Sequence, residues 1–259
     1  MGMPSSPDSP LATAVAAVRS VVAYVTVSVY VLVVGPPGIL LAHLRGRPDV
    51  LYWLGRLGVQ AGLALTGMRY RVVGAEHIQT DRAAVYCVNH TSNVEPPILY
   101  LALRPLFPRL RVLYKAELHA LPVLARGFDL AGFVPIARGD REQSLSAIDS
   151  AAAALRDGNS FLIFPEGTRS RSGTLLPFKK GGFVMAIKGQ APIVPVAIQG
   201  AREAMRKGSP FIRPVEIRVA FGPPVETDAL THAQRDGLIT EVRGRIEQML
   251  SEADGLSQP

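Results

Sequence analysis

Apolar and polar positions divide this chain into two parts. From Ser20 to Leu44 there is no Asp, Glu, Lys or Arg, a stretch longer than the roughly 20 residues needed to cross a hydrocarbon layer. Inside it, Gly35-Pro36-Pro37-Gly38 predicts an interruption, because proline removes a helix donor and clashes with the preceding turn. The expectation is a helix over Thr13–Val34, a break, a second apolar stretch over Ile39–Leu44, and a further helix over Val50–Leu65 with Arg56 and Gln60 on a side of their own. From Met68 onward the pattern changes to short apolar runs alternating with amphipathic stretches. Strands are predicted at Arg69–Val73, Ala83–Val88, Leu110–Tyr114, Phe133–Ala137, Phe161–Phe164, Ile193–Ile198 and Val215–Phe221. Helices are predicted at Pro96–Leu103, Gln143–Arg156, Phe178–Lys188 and Ala229–Glu252. The fold class is therefore α/β: a mostly parallel or mixed sheet flanked by helices, preceded by a two-helix membrane-anchoring motif. The expected organisation is an anchor over 1–67 and an α/β domain over 68–259.

The apolar segment admits several readings. A cleaved signal peptide is disfavoured by its length and by the lack of a clear small-residue cleavage site. A single span fits, and so does a buried helical hairpin in a soluble protein. A two-helix anchor that dips into one leaflet and returns at Gly35–Gly38 fits better, with Trp53 and the flanking Arg19, Arg45 and Arg47 at the interface.

Composition sharpens this picture. The chain is 48% hydrophobic and only 19% charged, against a globular average of about 25% charged. Its net charge of +7 favours an anionic partner such as a lipid surface or a phosphorylated substrate. No nucleic-acid partner is expected, since no recognition motif and no basic stripe interleaved with aromatics is present. The five histidines show no metal-ligand spacing, so no metal is expected. The single cysteine, Cys87, excludes an intrachain disulfide and reads as a small core residue.

The chemistry concentrates where apolar runs end. Ala83–Val88 leads into Asn89-His90-Thr91-Ser92-Asn93-Val94-Glu95, which puts a histidine at a strand's C-terminal end with a carboxylate close enough to fold back onto it. A carboxylate holding one imidazole nitrogen leaves the other free as a general base. The run Phe161–Phe164 leads into Pro165-Glu166-Gly167-Thr168-Arg169-Ser170, where Gly167 permits close backbone approach and Arg169 offers a fork that matches phosphate oxygens. Lys115 and Arg138 are further cations at strand ends. Lys179-Lys180 reads as a surface or membrane-facing pair, with contact to an acyl donor's phosphates as the alternative.

These residues resemble the sequence blocks of the 1-acylglycerol-3-phosphate acyltransferases, within the glycerolipid acyltransferase superfamily. The first block is Asn89-His90 with Glu95. The second is Gly132-Phe133-Val134-Pro135-Ile136-Ala137-Arg138, with Lys115-Ala116-Glu117-Leu118 just before it. The third is Phe164–Ser170, and the fourth is Ile193-Val194-Pro195-Val196-Ala197-Ile198. The blocks stand in the family's order over about Met68–Gly222. The family's usual acid is aspartate, and here Glu95 adds one methylene, so the turn must adjust to keep the imidazole oriented.

The resemblance implies acyl transfer from an acyl-CoA or acyl-carrier-protein thioester to the sn-2 hydroxyl of lysophosphatidic acid, giving phosphatidic acid. His90 would be the base, oriented by Glu95. Lys115, Arg138, Glu166, Gly167, Thr168 and Arg169 would form the phosphate site. Apart from the thioester co-substrate no cofactor is expected. The implied partners are the lysophospholipid, the thioester, a membrane surface and an acyl carrier protein. The implied location is a bacterial inner membrane with the catalytic domain on the cytoplasmic side. Another lysophospholipid or glycerol 3-phosphate as acceptor stays open, as do a thioesterase and a lipid-binding protein.

Overall fold

The computed structural model describes residues 10–136 and 141–255. Two antiparallel helices come first, α1 (Pro10–Arg45) and α2 (Asp49–Thr66), followed by β1 (Arg69–Val73), β2 (Val85–Val88) and α3 (Glu95–Ala102). Next come β3 (Leu110–Lys115), α4 (Pro122–Leu130), β4 (Val134–Ile136), α5 (Arg141–Arg156) and β5 (Ser160–Ile163). The chain continues through α6 (Gly181–Gly189), β6 (Ile193–Gln199), a single turn α7 (Ala201–Ala204), β7 (Glu216–Phe221) and α8 (Arg235–Gly255).

The strands lie in the order β1-β7-β6-β2-β5-β3-β4. Every neighbouring pair is parallel except β6 with β7. Strands β6, β2, β5, β3 and β4 consequently end at one edge, and the chain leaves β2, β5 and β3 there at the His90, Glu166 and Lys115 segments.

Strand β2 shows how the sheet is buried on both faces. Tyr86 and Val88 join one apolar cluster with Tyr52, Leu63, Ile98 and Leu103. Val85 and Cys87 join the other with Ala151, Phe183, Leu238 and Val242. Alternate side chains thus meet helices on opposite faces, and a short all-apolar run is the sequence signature of such a strand. Burial pushes the Cys87 thiol pKa up, which keeps it a neutral core group.

The interruption expected at Gly35–Gly38 does not occur, because α1 runs unbroken through Pro36 and Pro37. The flanking glycines explain why this stretch is held. A Cβ at Gly35 would lie 2.7 Å from Val123 of α4, and one at Gly38 would collide with Leu54 of α2. Two helices therefore pack closely on the proline turn, and tertiary packing overrides the local cost of the prolines. The reversal falls at Gly46-Arg47-Pro48 instead. Gly46 has φ +59°, the Arg47 N–H caps the Ala42 carbonyl, and Arg47 pairs with Asp49 at 2.7 Å.

Two further boundaries shift. Helix α6 starts at Gly181 rather than Phe178, because residues 165–180 remain loop and the Lys179 N–H bonds to the Pro165 carbonyl. Helix α8 starts at Arg235, behind a capping box formed by Thr231 and Gln234.

Helix α1 is long and apolar enough to cross a membrane, and only 11% of its most apolar window is buried. Leu11, Val18, Val25, Leu32, Val33 and Leu44 lie exposed along it. Ser20 ties it to the α/β layer by accepting the Ile212 N–H at 2.7 Å, and the Tyr24 hydroxyl donates to the Pro210 carbonyl at 2.7 Å. Helix α2 contributes directly to the core through buried Tyr52 and Leu63.

Candidate active site

The turn after β2 is fixed before its histidine can act. The Asn89 amide donates to the Ile198 carbonyl at 3.0 Å and its oxygen accepts the Ile198 N–H at 2.8 Å, so Asn89 mimics a backbone rung toward β6. The chain then turns, and Glu95 opens α3 with a fully buried side chain. One carboxylate oxygen accepts the Thr91 N–H at 2.8 Å, the Thr91 hydroxyl at 2.6 Å and the Ser92 N–H at 2.9 Å. The other oxygen meets His90 Nδ1 at 2.6 Å. Four contacts satisfy this buried charge, as they must in a low-dielectric position. They also show how the extra methylene of glutamate is taken up: the Thr91–Ser92 turn wraps around the carboxylate. The His90 ring lies 4.2 Å from the Phe164 ring, which limits its rotation. Ser92 is used structurally, its hydroxyl donating to the Met205 carbonyl at 2.8 Å.

His90 lines a cavity of 1130 Å³ running between α1, α2 and the sheet. Its inner walls are apolar, with Val27, Tyr30, Val34, Leu51, Leu54 and Val59 contributed by α1 and α2. Lys115, Gly167, Thr168 and Arg169 line the same cavity. Gly167 holds φ +66°, a left-handed conformation that favours glycine. The guanidinium of Arg169 makes no hydrogen bond or ion pair with any described residue, so its fork is open to a ligand. Lys115 is already engaged, paired with Glu117 at 2.9 Å. Arg138 lies outside the described residues.

Glu166, expected to help form the phosphate site, has a buried carboxylate that accepts the His90 N–H at 2.7 Å and the Leu176 N–H at 3.0 Å. This carboxylate locks the third block to the backbone of the first. The Ser170 N–H to the His90 carbonyl at 2.7 Å makes a second lock. Burial raises the pKa of Glu166, opposed by those two backbone donors. Glu166→Gln presents an amide nitrogen to one of the two donors, leaving a buried N–H unpaired at a cost of about 1–3 kcal/mol. The thermal midpoint is expected to fall by about 2–4 °C per kcal/mol. A midpoint identical to wild type would remove this bracing role.

Two further lysines arrive from loops rather than from strand ends. Lys207 donates to the Arg169 carbonyl at 2.9 Å and to the Thr168 hydroxyl at 3.3 Å. The end of Lys179 crosses Gly167 so closely that a Cβ there would lie 2.8 Å from its Nζ. Both line the cavity, so two lysines flank the turn that carries Arg169.

Comparison with known proteins identifies the family. A family model described as Acyltransferase matches residues 69–199. A 1-acyl-sn-glycerol-3-phosphate acyltransferase of Limnanthes douglasii is 34% identical over 201 residues, covering 75% of this chain and 69% of that protein. The 1-acyl-sn-glycerol-3-phosphate acyltransferase alpha of Mus musculus is 30% identical over 218 residues, covering 82% of this chain and 75% of the relative. The crystal structure of the 1-acyl-sn-glycerophosphate (LPA) acyltransferase PlsC from Thermotoga maritima shares the fold, with a TM-score of 0.78 at 21% identity, covering 93% of this chain and 97% of that one. With a family model matched over half of its length and relatives of this identity and coverage, the chain belongs to the 1-acylglycerol-3-phosphate acyltransferase family and is an acyltransferase.

Proposed function

We propose that this chain transfers a fatty acyl group from an acyl thioester to the sn-2 hydroxyl of lysophosphatidic acid. The observation that carries the reading is the composition of one cavity: an oriented imidazole, a cationic turn and a long apolar interior. With Nδ1 engaged by Glu95, His90 Nε2 takes the hydroxyl proton as the oxygen attacks the thioester carbonyl. The new C–O bond forms, the C–S bond breaks, and His90 returns its proton to the leaving thiolate. Glu95 fixes the tautomer and stabilises the imidazolium. The His90, Thr91 and Ser92 N–H groups are all taken by Glu166 and Glu95, so donors for the oxyanion come from elsewhere in the cavity.

Arg169, Lys179 and Lys207 hold the acceptor phosphate on the Gly167–Arg169 turn, with Lys115 as a further cation of the same cavity. The apolar interior under α1 and α2 takes an acyl chain. Helices α1 and α2 form the anchor, segment 1–67, and the remaining chain is the catalytic domain. This arrangement brings the cavity to substrates that live in the bilayer, on the cytoplasmic side of a bacterial inner membrane. Coenzyme A or an acidic acyl carrier protein as thioester carrier suits the basic rim.

The test is turnover of lysophosphatidic acid with long-chain acyl-CoA by liposome-reconstituted protein, following phosphatidic acid and free thiol together. Matched release of both is expected. Thiol accompanied by free fatty acid would make the protein a hydrolase instead. In the same assay Arg169→Ala is expected to raise KM for the lysolipid about 10–100-fold, the worth of a charge-assisted contact of about 1.5–3 kcal/mol. An unchanged KM would remove Arg169 from the phosphate site.

A further inference from the structure

A second cavity, of 340 Å³, lies outside the catalytic one, between α2, β1 and the C-terminal end of α3. Its apolar floor includes Val72, Ile78 and Leu101, and two arginines, Arg56 and Arg104, stand at its wall. Neither guanidinium has a hydrogen bond or ion pair with any described residue. Among the described residues no Asp or Glu lines the cavity, so two positive charges share a small depression without a carboxylate beside them. Arg109 nearby differs, because its guanidinium is occupied by the Gly158 and Thr80 carbonyls.

The position of this cavity on α2 points to its ligand. Residues three apart are neighbours on a helix, so Arg56 stands beside Trp53 and Gln60 beside Leu57. Trp53 is 58% exposed and Leu57 39%, which makes them an unburied apolar stripe on the same helix pair as the exposed face of α1. The stripe borders the cationic cavity directly. An apolar surface edged by paired guanidiniums complements a molecule with an acyl region joined to an anionic headgroup.

We propose that this cavity binds the phosphodiester headgroup of an anionic membrane phospholipid that is not the substrate, with Arg56 and Arg104 on the phosphate and the lipid tails along Trp53 and Leu57. The site rests on the membrane-anchoring reading of α1 and α2, and it is independent of the acyl-transfer chemistry at His90.

Trp53 is the only tryptophan in the chain and lies one helical turn from Arg56, so its fluorescence reports on this site alone. The experiment titrates phosphatidylglycerol into the full chain held in neutral-detergent micelles. Parallel titrations use phosphatidylcholine and inorganic phosphate. A saturable change with phosphatidylglycerol is expected, with neither comparison ligand reproducing it in the same range. Arg56→Ala combined with Arg104→Ala is expected to weaken it at least about tenfold. Arg104→Ala alone, at an exposed position where folding is not at stake, is expected to weaken it several-fold. Arg169→Ala is expected to leave it unchanged and thereby separates this site from the catalytic cavity. Equal titrations of wild type and Arg104→Ala would overturn the proposal, and so would loss of the signal in Arg169→Ala. Saturation by inorganic phosphate in the same range would overturn the lipid as ligand.

Discussion

His90→Ala is expected to lower kcat for acyl transfer by about 10²–10⁴-fold, the range a positioned general base contributes. Lysolipid binding should persist, because the cations proposed to hold the phosphate belong to other segments. The fold should persist too: the backbone contacts of this residue, its N–H to Glu166 and its carbonyl from Ser170, do not involve the imidazole. The substitution does leave the Glu95 oxygen that faces Nδ1 without its partner, so a moderate loss of stability accompanies the loss of rate. The measurement is thiol release and phosphatidic acid formation by the variant beside wild type, with lysolipid affinity measured separately. Turnover near the wild-type level would remove His90 as the base.

Glu95→Gln is the second large effect, with kcat expected to fall by about 10²–10³-fold. Three donors converge on one oxygen of Glu95, and a glutamine must keep its carbonyl oxygen there. Its amide nitrogen then faces His90 Nδ1 as a donor. That imidazole nitrogen must accept, the ring proton moves to Nε2, and the nitrogen that should take the substrate proton is blocked. Glu95→Asp tests the other property of this site, its length. The turn of Thr91 and Ser92 is wound around a glutamate, and a side chain shorter by one methylene cannot reach both that turn and the imidazole without the backbone moving. A displacement of about 1 Å in a catalytic group costs about 100-fold. Aspartate is therefore expected to be a poor replacement in this chain although it is the family's usual acid. Wild-type kcat in Glu95→Gln would make the carboxylate structural, and wild-type kcat in Glu95→Asp would show that the turn adapts freely.

Much of the architecture was legible in the amino-acid sequence because its signals are local. A four-residue apolar run such as Val85–Val88 is the signature of a strand buried on both faces, and a helix such as α5 displays its apolar stripe and its ends. The His90–Glu95 pair was legible for the same reason: one tight turn joins the two residues, so separation in sequence nearly fixes separation in space.

What only the tertiary structure decided involves groups brought together across long sequence distances. Pro36 and Pro37 carry a local preference for a break, and the close approach of α2 and α4 at Gly35 and Gly38 overrides it. Glu166 has the chemistry of a site residue, yet its direction is set by the N–H groups of His90 and Leu176, which no local pattern reveals. Lys207 reaches the Thr168–Arg169 turn from a loop beyond β6. Arg56 and Arg104 meet at one cavity only because α2 packs beside the end of α3. Apolar periodicity and turn chemistry are written in neighbouring residues and determine the elements. The destination of a charged side chain depends on which elements the core packs side by side, and that is settled only when the whole chain is folded.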